Sequence, residues 1–206
     1  MTIAIDHAAR DHALSLGLPP SLLFPVGARD EAALATYVGE IKHVVVDGAP
    51  RKALLIQSPA PPPVDARFPI WDQPGSAILR ARRQLWVHVG YAGYRRAYKS
   101  AFPHEDIEGK VLSHAVNRRI ASVMGFSYVR ITPVSRGCNS SSSFSEQWGV
   151  TLHSSSEQAA ANRRRGAFIH YADMVAMMVM LDMKPGGGFM DAVNEAQKLV
   201  RPRTPG

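Results

Sequence analysis

The sequence predicts an α+β fold, mainly helical, in which a small N-terminal helix and hairpin region (residues 1–58) precedes a basic main domain (76–206) of helices and a short sheet. Three observations lead there. Apolar residues recur at helical spacing through most of the chain, two β-rich runs stand close together near the amino terminus, and six prolines fall between Ser58 and Gly75. Hydrophobic residues make up 46% of the 206 positions and charged residues 20%, ordinary globular usage with enough apolar surface for a core.

Asp6 to Leu16 reads as a first helix. A second begins after Asp30, a good N-cap, because Ala33, Leu34, Tyr37, Val38 and Ile41 keep helical spacing. His43–Val46 and Lys52–Gln57 follow as a hairpin around the turn sequence Asp47-Gly48-Ala49-Pro50-Arg51. Residues 59–75 are read as a linker, since proline removes ladder donors and breaks helices, although Phe68, Ile70 and Trp71 point to packing in its second half.

Ala77 to Ala101 has helical composition, with a kink at Gly90 and Gly93 or two helices expected. Gly109 to Met124 is predicted as a helix stopped by Gly125, with Val111, Leu112, Ala115, Val116, Ile120 and Val123 on one face and His114, Asn117 and Arg118 opposite. Arg119 then falls on the apolar side and requires a buried acid or a bound anion as partner. Phe126–Val134 alternates like a strand, with Tyr128 and Arg130 facing away from Val129 and Ile131. A serine-rich loop runs from Ser135 to Ser145, and Ser154 and Glu157 have the spacing of a capping box opening a helix that ends near Arg163–Gly166. Asp173–Met183 and Phe189–Val200 are the last two helices, separated by the glycine run after Lys184-Pro185, and the tail RPRTPG is expected to be mobile.

Charge gives the functional lead. Eleven of the 24 Lys and Arg residues but only three of the 17 acids lie between Arg80 and Arg136, so acids outnumber bases by one elsewhere. A concentrated basic field attracts polyanions, and guanidinium forks interleaved with aromatics suit phosphates and unstacked bases. The leading expectation is a nucleic-acid-binding protein, DNA or RNA, or a component of a nucleoprotein assembly. It would place Arg82, Arg83, Arg95, Arg96, Arg118, Arg119, Arg130 and Arg136 on phosphates.

The alternative is a phosphodiester-cleaving enzyme. His114, Asn139, Glu146 and His153 carry the chemistry there, a histidine as general base and Glu146 as acid or as ligand to Mg or Mn. Outside that alternative no cofactor or resident metal is expected. A structural protein that meets an acidic partner is the third reading, and a protein partner or a homo-oligomer fits any of the three.

Cys138 is the single cysteine, which excludes a disulfide framework. It stands near two arginines, where a lowered pKa would make it a nucleophile, but no catalytic signature surrounds it and an ordinary thiol is the expectation. Asp6, Arg10 and Asp11 interrupt the amino-terminal apolar stretch, and the run Met174–Leu181 is too short to span a bilayer, so the expectation is a cytoplasmic protein with no membrane partner.

Overall fold

Apolar runs build one antiparallel sheet in the computed structural model, which describes residues 3–59, 61, 63–139, 166–183 and 189–203. Its strands are β1 (Pro25–Ala28), β2 (Glu40–Val46), β3 (Ala53–Gln57), β4 (Arg83–His88), β5 (Lys110–His114), β6 (Tyr128–Ser135) and β7 (Ile169–Tyr171). They lie in the order β2-β3-β4-β6-β1-β7, with β5 also paired to β6, and the sheet curls into a half-barrel. β4 takes one edge of β6 at residues 128–131, while β1 and β5 share the other edge end to end.

Alternation along the strands explains why both faces are covered. Ala53, Leu55, Leu85, Val87, Val129 and Ile131 enter one core, with Leu22, Phe24, Trp71 and Met177. Leu54, Ile56, Trp86 and Tyr128 enter a second, against Ala33 and Leu34. The helices around the sheet are α1 (His7–Ser15), α2 (Glu31–Tyr37), α3 (Ser76–Leu79), α4 (Tyr94–Ala101), α5 (Arg118–Val123), α6 (Met174–Met180) and α7 (Phe189–Leu199). Asp6, Asp30, Asn117 and Asp173 cap α1, α2, α5 and α6 by accepting from backbone N–H groups of the first turn.

This architecture overturns the mainly helical expectation: helix accounts for 36% and strand for 23%, and the organising element is the sheet. The amino-terminal hairpin is no separate region, because β3 pairs with β4 across the proline-rich stretch and β1 pairs with β6 and β7. The helical stretch expected over 77–101 divides into α3, β4 and α4, and the helix expected over 109–124 into β5 and α5. In both places consecutive apolar residues serve two covered faces, a pattern periodicity does not separate from a buried helix. The tail is also tethered as far as Arg203, whose backbone N–H donates to the Arg67 carbonyl at 2.8 Å and whose side chain pairs with Asp72. No helix among the described residues is long and apolar enough to cross a membrane.

Candidate functional site

A cleft of about 470 Å³ opens where β5 turns into α5 beside the start of α4. The turn is set by Asn117, whose Oδ1 accepts the N–H groups of Arg119 at 2.7 Å and Ile120 at 3.3 Å. That cap lets the chain leave the sheet at His114 and begin a helix within four residues. His114, Asn117 and Arg118 therefore line the same cleft, joined by Tyr94 and Arg95 from α4 and by Asn139. No side chain caps α4, so its positive end faces the cleft with its first N–H groups uncapped.

Among the described residues the lining carries two guanidinium groups and no carboxylate. The imidazole of the lining is His114, packed against the Tyr94 ring at 4.6 Å between centroids. Its Nε2 is buried without a hydrogen-bond partner among the described residues. Burial, reinforced by the charge of Arg118, pushes the imidazole down to about 4, so it is neutral at pH 7 and presents a lone pair instead of a charge. Arg95 lies 5.8 Å from the centre of the Tyr94 ring.

The structure therefore brings together His114 and Asn139 of the candidate catalytic set, with Arg95 and Arg118 of the candidate phosphate-binding set. Glu146 and His153 lie outside the described residues, as do the serine run beyond Asn139, the capping box at Ser154 and the glycine run at 186–188. Among the described residues no three His, Cys, Asp or Glu side chains group as metal ligands.

The other arginines are spread over the molecule. Arg82, Arg83, Arg96, Arg119 and Arg136 are exposed. Arg82 donates to the Ser58 carbonyl at 3.2 Å and Arg83 to that of Ala101 at 3.2 Å. Arg119 does not sit on an apolar face, because α5 starts only at Arg118 and the longer helical face drawn through it does not exist. Arg130 is the buried one, 2% exposed. It donates to the Ile78 carbonyl at 2.5 Å, and desolvation lowers its pKa to about 10.

Cys138 is buried as well, and burial with the nearby Asp182 raises its thiol to about 11, the opposite of an activated nucleophile. The sequence marks Tyr94 as one of the aromatics interleaved with the arginine pairs, and the structure makes it a wall of the cleft. Its available signal was adjacency to Arg95 after an uncapped glycine. Comparison of the chain with protein-family models, curated proteins and solved structures gives no match.

Proposed function

We propose that the chain binds nucleic acid, with a phosphate held in the cleft between Arg95 and Arg118. One observation supports this reading above all. Two guanidinium groups from separate elements line a cleft that has no acid on its walls among the described residues, an arrangement that repels itself until an anion enters. The uncapped start of α4 adds backbone donors of the same sign, and the Tyr94 ring offers a face on which an adjoining base can stack. A polyanion-binding protein of this kind fits the cytoplasmic location read from the sequence.

Retention of labelled single- and double-stranded DNA and RNA across a salt series is the test. Affinity is expected to fall steeply with salt, and Arg95→Ala with Arg118→Ala is expected to reduce the slope of log K against log salt by about 1.8 on duplex DNA, the share of two phosphate contacts. Affinity unchanged from about 50 to about 500 mM salt removes the proposal, because phosphate neutralisation always releases counterions.

A second reading, phosphodiester cleavage, has one observation in its favour: a neutral imidazole shares the cleft with both arginines. His114 would then take a proton from the attacking water while Arg95 and Arg118 hold the phosphate. Mg or Mn, if used, would be held by Glu146. Cleavage of the retained strands, lost in His114→Phe, separates this reading from binding alone.

A further inference from the structure

A second cavity, of about 80 Å³, lies where β4 and β6 part beyond the Leu85–Ile131 pair. Arg130 and Thr132 form its polar wall, Leu85, Phe102 and Ile131 its apolar one, and Arg83 stands exposed beside it. The cleft at His114 shares no residue with it.

Two features of this pocket are unresolved within the described residues. The Arg130 guanidinium is almost fully buried, yet it forms no ion pair there and donates only to the Ile78 carbonyl. A guanidinium carries five N–H donors, so most of its capacity is unused. The Thr132 Oγ1, 1% exposed as a residue, has no hydrogen-bond partner either. Glu105 is the one carboxylate on the wall, and it accepts from the Tyr98 hydroxyl at 2.9 Å without reaching Arg130 as an ion pair. Buried charges and hydroxyls are normally satisfied, and a pocket that leaves both unsatisfied has the shape of a missing ligand.

We propose that this pocket binds a small organic carboxylate, of the size of propionate. Its carboxylate would lie in the Arg130 fork with the Thr132 hydroxyl donating to it, and its alkyl end against Leu85, Phe102 and Ile131. The space exceeds the roughly 30 Å³ that a water takes up in the liquid by enough for a few heavy atoms. A single negative charge neutralises one guanidinium, and the planar carboxylate matches its two parallel donors. Phosphate is the poorer fit, because its higher charge and extra acceptors would face apolar walls. Exposed Arg83 at the wall draws an anion of either kind toward the entrance.

Titration of the full chain with propionate, phosphate or chloride at constant ionic strength, followed by amide chemical shifts, tests the assignment. Propionate is expected to shift residues 130–132 saturably, with a dissociation constant on the order of 1 mM, since so small a ligand has few atoms to bind with. Thr132→Val removes a hydroxyl that has no partner in the fold, so the variant stays folded, and propionate is expected to bind it about tenfold more weakly, the worth of one charge-assisted hydrogen bond. Arg130→Gln is expected to abolish the shifts. The proposal is overturned by propionate affinity unchanged in Thr132→Val, by phosphate binding here more tightly than propionate, or by the lack of any saturable shift at 130–132. Retention of nucleic acid in Thr132→Val keeps this result separate from that of the His114 cleft.

Discussion

His114 shows at the scale of one residue how burial fixes chemical role. Its folded pKa, near 4, lies below the 6.5 of an unperturbed imidazole, so the unfolded chain binds the proton first. The stabilisation from keeping the ring neutral is complete above pH 6.5, fades between 6.5 and 4, and is gone below. Over that window it amounts to about 3 kcal/mol. Urea midpoints measured from pH 7 to 4 are expected to fall faster for the parent than for His114→Phe, which keeps a ring against Tyr94 and cannot take up the proton; parallel curves would refute the assignment. Arg119 gives the opposite case. It is exposed, so Arg119→Ala is expected to change stability by no more than about 0.5 kcal/mol, as for other surface substitutions, and a loss of several kcal/mol on chemical unfolding would contradict its placement. The sequence held the signal for a buried arginine at another position. Alternation from Phe126 to Val134 places Arg130 on the side of Tyr128, yet only the covering of both sheet faces makes that side an interior one. Such covering comes from residues distant in the chain, and no local pattern reports it.

At the scale of elements, the Asp30 cap and strands β2, β3 and β6 were legible while β4 and β5 were not, for a physical reason. A cap is made within four residues: Asp30, read as the N-cap of the second helix, accepts from Ala33 N–H at 2.7 Å. Gly125 likewise takes a positive φ of 87° just past α5, the conformation a helix stop demands. β4 and β5 depend on β3 and β6, and their runs Gln84–Val87 and Val111–His114 fill consecutive positions with residues that a helix would also accept. The site survived this misreading. A helix through 109–124 would have placed His114, Asn117 and Arg118 on one face, and the strand-to-helix turn also gathers them, because Asn117 folds the chain back within three residues of His114. The grouping belongs to the local sequence, whereas the convergence of Tyr94 and Arg95 upon it belongs to the sheet.

Connectivity of the sheet decides what happens at the scale of the molecule when the proline-rich stretch is cut. Read from the sequence, residues 76–206 form a domain of their own. The pairing argues against that, since a chain beginning at Ser76 lacks β1, β2 and β3. β4 then loses the partner that bonds it from Gln57–Arg83 to Ala53–Val87, and β7 loses β1, its strand partner in the sheet. Asp6 is lost too, and its Oδ2 accepts the N–H groups of Phe168 at 2.7 Å and Ile169 at 2.9 Å. Leu22, Phe24, Val26, Leu54 and Ile56, each at most 1% exposed, leave the cores with it. At about 1.5 to 3 kcal/mol for each large apolar side chain, their absence is comparable with the whole of the roughly 5 to 15 kcal/mol by which a typical domain is stable. The fragment 76–206 is therefore expected to be unfolded, without a cooperative thermal transition by circular dichroism. A single proteolytic cut between Ser58 and Asp65 in the intact chain has the opposite outcome: β3 still pairs with β4, and the two pieces are expected to elute together on gel filtration and separate only in denaturant. A fragment 76–206 that melts cooperatively would show that the sheet closes without its first three strands, and that the amino-terminal region is an accessory to the cores it lines.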